Sequence, residues 1–159
     1  MKFRYVPATV KTPIPSLGGG HTRPRPIVAV RVIGNTGTQL IDGLLDTGSD
    51  DTVLEDWVAA LIGVDLTHAI RRDIGLVGRV QPVVVKYVNV RLRITDGSQE
   101  AYEWSAVIGF TPTKLRYPLF GYAGFLQFFN TDFHGDDREV ILTPNTAFPG
   151  TVNKGPIQP

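Results

Sequence analysis

Leu44-Leu45-Asp46-Thr47-Gly48-Ser49-Asp50-Asp51-Thr52-Val53-Leu54-Glu55 is the stretch on which the reading of this chain turns. Its apolar start predicts a strand that delivers Asp46 into a turn built on Gly48, so the carboxyl stands at the end of a rigid element. Gly48 has no side chain and lets another backbone come close. Thr47 offers a hydroxyl that can tie this turn to a neighbouring one. The chain then returns at once to Thr52-Val53-Leu54, which must be buried strand. An acid at the end of a buried strand is costly unless something satisfies it. A lone Asp-Thr-Gly is most often a turn aspartate capped by backbone N–H groups. The length of this string points beyond that.

On either side, glycine (17 residues) and proline (12) punctuate short Val/Ile/Leu runs, which predicts an all-β domain of many short strands. Residues 7–26 carry five prolines and Gly18-Gly19-Gly20, and read as an arm or loop, with Phe3 to Val6 before them as a candidate edge strand. Ile27 to Ile33 reads as a strand, Asn35-Thr36-Gly37 as a turn, and Glu55 to Ile62 as a helix ended by Gly63. Residues 67–81 read as a hairpin with Gly75 and Gly78 near its tip. From Lys86 to Thr95 the alternation is clean, with Val88, Val90, Leu92 and Ile94 on one face. Asp96-Gly97 turns that strand into Tyr102 to Phe110. Phe125, Phe128 and Phe129 stand at helical spacing and predict a short helix with a core stripe. Thr131–His134 and Arg138–Thr143 form a hairpin, and residues 144–159 read as a loose tail. Trp57 and Trp104 read as core.

The 44–55 string closely resembles the active-site segment of the retropepsin-like aspartic proteases, which typically reads apolar-apolar-Asp-Thr-Gly-Ala-Asp-Asp-Thr-Val-Leu. Only the alanine differs, replaced by Ser49. Pro118-Leu119-Phe120-Gly121 fits the family's later apolar-apolar-Gly segment, and Ile74-Gly75-Leu76-Val77-Gly78-Arg79 sits where the family has its flap. The resemblance spans residues 27–143, leaving an arm (1–26) and a tail (144–159) outside it. It implies a single-domain, closed β-barrel of the acid-protease type, with one or two short helices and a flap hairpin.

It also implies the chemistry. Two carboxyls share a proton, one acting as base on water and the other polarising the scissile carbonyl, and such a pair titrates as a unit. The chain has one Asp-Thr-Gly, so the expectation is a homodimeric aspartic endopeptidase with Asp46 of each protomer across a two-fold axis. By resemblance Asp46 is catalytic, and Thr47, Gly48 and Ser49 support it. Thr47 would bond across the axis. Ser49 would hydrogen-bond near the carboxylates, stabilising their charged form and favouring acidic pH. Gly48, Asp50, Asp51, Ile74, Leu76, Val77 and Gly78 would bind an extended peptide, with Leu76 to Gly78 as the closing flap tip. No metal or cofactor is expected. The family usually follows the late glycine with an Arg that pairs with the acid at the place of Asp50. Here Tyr122 and Ala123 follow, so Asp50 must use Arg71, Arg116 or Arg138, or be solvated. The C-terminal interface strand also lacks a match, leaving Phe3 to Val6 or the tail to replace it.

Charge and composition narrow the rivals. Cysteine is absent, which removes thiolate nucleophiles, disulfides and Cys-type metal sites. A net charge of +1 argues against a general nucleic-acid binder. Residues 1–40 nevertheless hold six cations and no acid, and the remainder ten Lys and Arg against fifteen Asp and Glu. That arm is a solvated segment or a polyanion contact. The acids around Asp46 fail the calcium-loop pattern, since Asp51 stands where that loop needs glycine. His21, His68 and His134 are scattered and read as surface residues. No window approaches the roughly 18 apolar residues of a membrane span, and the start lacks the apolar core of a secretory signal, so the expected location is cytoplasmic. The alternative from a different class is a retropepsin-like module that binds or dimerises without cutting.

Overall fold

The computed structural model describes residues 1–75, 81–98 and 100–154. Its strands are β1 (Lys2–Arg4), β2 (Val6–Ile14), β3 (Gly20–Arg25), β4 (Ile27–Ile33), β5 (Thr38–Leu45), β6 (Val53–Glu55), β7 (Ile70–Ile74), β8 (Val83–Ile94), β9 (Glu100–Thr111), β10 (Leu119–Phe120), β11 (Phe129–His134), β12 (Glu139–Pro144) and β13 (Thr151–Lys154). One helix, α1 (Asp56–Leu61), follows β6. The chain is all-β and forms one small domain. No helix among the described residues is long and apolar enough to cross a membrane.

Most strands belong to one sheet, ordered β13-β9-β6-β10-β5-β4-β8-β7, and an added β8–β9 pairing joins its strands into a ring. Alternation explains the ring's interior. Val28, Val30 and Val32 on β4, Val90, Leu92 and Ile94 on β8, and Trp104, Ala106, Ile108 and Phe110 on β9 are all buried, two residues apart along each strand. Gly97 takes a φ of 84°, which suits the Asp-Gly turn between β8 and β9. Below the ring, Trp104 sits 5.4 Å from Phe125, 5.3 Å from Phe129 and 5.8 Å from Phe148. Its indole N–H donates to the Gly124 carbonyl at 3.1 Å, so a buried polar group is satisfied. A second sheet, β1-β12-β11, lies beside this aromatic cluster, and among the described residues β2 pairs only with β3.

Four expectations are corrected. Residues 7–26 are not a loop but mostly the β2–β3 hairpin, turning through a 3-10 segment at Pro15–Leu17. Each strand of a two-stranded sheet has a free outer side, so Pro7 and Pro24 sit opposite each other with no ladder bond lost. The tail is not loose from 144 onward, because β13 pairs with β9 from Thr151 opposite Glu103 to Lys154 opposite Glu100. The phenylalanine stripe is no helix. A single 3-10 turn covers Leu126–Phe128, and Phe129 already begins β11. Trp57 is 45% exposed on α1, its N–H held by Glu55, because the buried face of that short helix is Val58 and Ala59.

The N-terminal strand is tied to the β8–β9 turn through Asp96. Its carboxylate accepts the Lys2 N–H at 2.9 Å and the Ser98 N–H at 3.0 Å. Burial pushes this carboxyl up, but the hydrogen bonds from Ser98 and Lys2 outweigh it and hold it below the ordinary aspartate value. A depressed folded value stabilises above the unfolded value, and that stability drains as pH falls through the folded one. Asp96→Asn should therefore destabilise at neutral pH, with the gap from wild type shrinking as pH falls below about 4. Urea midpoints at the two pH values check this.

Candidate active site

The site is built where β5 ends. β10 runs parallel to β5, with Leu119 opposite Leu44 and Phe120 opposite Leu45, and antiparallel to β6 through Leu119 and Val53. The two strands that flank the Asp46 turn are thus held apart by a third. Asp46 N–H donates to the Phe120 carbonyl at 3.1 Å, and Leu45 N–H to the Pro26 carbonyl at 2.9 Å. Asp46 Oδ1 accepts the Gly48 N–H at 3.0 Å, and the Asp46 carbonyl accepts the Ser49 N–H at 3.1 Å. The carboxyl is half-buried and fixed by its own turn, with its second oxygen left for chemistry. Thr47 is exposed and makes no side-chain hydrogen bond among the described residues.

Behind this turn the chain is tied by main-chain bonds to the segment after β10. Tyr122 N–H donates to the Ser49 carbonyl at 2.9 Å, Ala123 N–H to the Asp50 carbonyl at 2.8 Å, and Thr52 N–H to the Ala123 carbonyl at 3.0 Å. The backbone therefore braces the loop at the place where the resemblance expected an arginine. Asp50 is exposed, and no ion pair engages it among the described residues. Of its expected partners, Arg71 pairs instead with Asp73 at 3.6 Å. Arg116 lines the same cleft as Asp50.

Ser49 requires a correction. Its hydroxyl donates to the Asp51 carbonyl at 2.8 Å. One hydroxyl carries one proton, so Ser49 steadies the loop rather than donating to Asp46. The Asp51 carboxylate is also engaged, accepting the Tyr87 hydroxyl at 2.7 Å from β8. Burial, then the Asp51 hydrogen bond and charge, push the Tyr87 phenol well above its ordinary value. A raised value gives stability that is complete below the ordinary tyrosine value and lost as pH rises beyond it. Tyr87→Phe strips a half-buried carboxylate of its donor and should cost about 1–2 kcal/mol at neutral pH, while flattening the alkaline limb. Denaturant titrations at neutral and high pH read both effects.

Asp46, Gly48, Ser49, Asp50, Asp51 and Ile74 all line one open cleft of about 780 Å³. Ile74 reaches it from the end of β7, which pairs with β8 up to Ile74 opposite Val83. The expected flap tip, Leu76, Val77 and Gly78, lies outside the described residues. Lys114, Arg116 and Tyr117 from the connection between β9 and β10, and Arg25 from the end of β3, line the same cleft; of these the sequence reading named Arg116 alone, as a possible partner of Asp50. Nothing local in 112–118 marks it as a wall. The Arg116 guanidinium lies 5.8 Å from the Tyr117 ring centre, within reach of a cation–π contact. Leu44, Leu115 and Leu119 give the cleft apolar surface.

Such an arrangement offers a carboxylate held in a fixed turn, beside a cleft of mixed apolar and charged lining. The described residues contain no cluster of His, Asp and Glu that could hold a metal ion. No protein-family model and no curated protein matches this sequence.

Proposed function

We propose that this chain is a retropepsin-like aspartic endopeptidase that works as a homodimer. The observation that carries the reading is the Asp46 turn. A strand-end aspartate, fixed by the Gly48 N–H and the Phe120 carbonyl, opens onto a cleft of about 780 Å³. The string from Leu44 to Glu55, which resembles the family's active-site segment, supports the reading, as does the apolar Leu119-Phe120-Gly121 segment held beside it by β5 and β6.

On this reading the two Asp46 carboxyls face each other across a two-fold axis and hold one proton between them. The unprotonated oxygen removes a proton from water, and the water oxygen attacks the scissile carbonyl. The protonated carboxyl donates to that carbonyl oxygen, giving a neutral tetrahedral diol. Collapse returns a proton to the leaving nitrogen and regenerates the dyad. The Gly48 turn lets the substrate backbone lie close. Leu44, Ile74, Leu115 and Leu119 favour apolar side chains next to the cleaved bond.

A single protomer holds half of this machine, which gives a kinetic test. Cleavage of an unfolded protein, with products identified by mass spectrometry, should rise with the square of enzyme concentration when the enzyme is dilute, and linearly once the dimer is saturated. A first-order dependence at all concentrations, from a chain that sediments as a monomer, would sink the dyad.

A further inference from the structure

We propose that the β2–β3 hairpin is an arm that clasps a second copy of this chain. The inference deepens the proposed reading, because it names the surface that brings two half-sites together.

The hairpin is the part of the chain that its own protomer leaves without support. Among the described residues, β2 pairs with β3 and with no other strand, while every other strand belongs to the ring sheet or to β1-β12-β11. None of its side chains joins either hydrophobic cluster, although Met1, Phe3 and Tyr5 just before it pack on the main core. Ile14 is buried but belongs to neither cluster, and Val6 and Leu17 are 42% and 49% exposed. A lone two-stranded hairpin is marginal in water, so a nine-residue strand whose only paired neighbour among the described residues is β3, and whose register shifts between Thr9 and Ile14, calls for an outside surface.

Its position and charge choose the occupant. The hairpin ends at Arg25, which lines the Asp46 cleft, and the next residue, Pro26, accepts the Leu45 N–H. The arm therefore springs from beside the one carboxyl that needs a counterpart from another chain. Nine residues of strand extend about 30 Å, enough to lie along a neighbouring domain. The hairpin carries Lys11, Arg23 and Arg25 and no acid, whereas residues 41–159 hold ten Lys and Arg against fifteen Asp and Glu. A cationic arm on an acidic body is complementary to a second copy and repelled by a second arm. The two terminal strands, β1 and β13, each pair in-chain on one side, with β12 and with β9, whereas the hairpin packs on neither sheet among the described residues.

The test is the self-association of the full chain by analytical ultracentrifugation, in low and high salt. Two variants are compared with wild type. In one, Lys11 to His21 is replaced by an Asn-Gly turn. In the other, Lys11→Glu and Arg23→Glu reverse two charges and leave the backbone intact. The expected result is a wild-type dimer that weakens with salt, and at least a tenfold rise in dimer Kd for both variants, with circular dichroism unchanged. A dimer of unchanged Kd in the charge-reversed chain overturns the proposal, as does a wild type that stays monomeric. A monomer whose arm binds heparin also overturns it and assigns the arm to a polyanion. An arm-dependent dimer that cleaves nothing keeps this inference and removes the protease reading. A proteolytic dimer indifferent to the arm does the reverse.

Discussion

Asp46→Asn should lower peptide hydrolysis by at least about 10³-fold and leave the fold intact. The reason lies in what each atom does. Asp46 Oδ1 accepts the Gly48 N–H at 3.0 Å, a role the amide oxygen of asparagine fills equally well. Asp46 N–H and the Asp46 carbonyl keep their main-chain partners, Phe120 and Ser49. The turn therefore survives. What asparagine cannot do is hold a transferable proton or take one from water. In a symmetric dimer the substitution removes both members of the dyad together, so no partial function remains. Cleavage followed by mass spectrometry, beside thermal melts of both proteins, reads the two effects separately. Activity retained in a well-folded variant would remove Asp46 from the chemistry and the protease reading with it.

Gly121→Ala should be the most damaging small substitution near the cleft. A Cβ at this position would lie 2.3 Å from the Asp51 carbonyl oxygen and 2.6 Å from that of Ser49. Both are backbone atoms, so no side-chain rotation relieves the clash. The two carbonyls belong to the loop that carries Asp46, and Ser49 O also accepts the Tyr122 N–H. Either β10 or the loop must move. The expected cost is at least about 3 kcal/mol, above the usual range for an added methyl because the neighbours are main chain. Cleavage should fall further than stability alone requires, since the loop displaced is the one that positions Asp46. Urea titration with an unchanged slope checks the first claim. Tyr122→Ala, at a site 63% exposed, is the control and should change stability little. A Gly121→Ala protein within about 1 kcal/mol of wild type would show that the loop yields easily.

The local readings held where chemistry and periodicity agree over several residues. The alternation of Val90, Leu92 and Ile94 named the buried face of β8, and Asp96-Gly97 its turn. The apolar run into Asp46 and the buried return at Thr52, Val53 and Leu54 appear as read. The phenylalanine stripe misled because an i, i+3, i+4 spacing also fits one 3-10 turn followed by a strand. Phe125 and Phe129 are buried from different elements. Prolines in 7–26 suggested a loop, yet a two-stranded sheet accepts proline on either strand. β13 is too short and polar for alternation to show, and it exists because β9 offers it an edge.

By itself, then, the sequence determined the all-β character, the strand that carries Asp46 and the turn in which it sits. These depend on residues adjacent in the chain, where side-chain size, backbone freedom and the two-residue repeat act directly. Tertiary structure alone decided what surrounds that turn. It placed β10 between β5 and β6, aimed the Ser49 hydroxyl at Asp51, brought Tyr87 to Asp51 from 36 residues away, and set Lys114 and Arg116 across the cleft. Each of these is a contact between segments distant in the chain, selected by how the strands close into a ring and by which polar groups must be satisfied once that ring is packed.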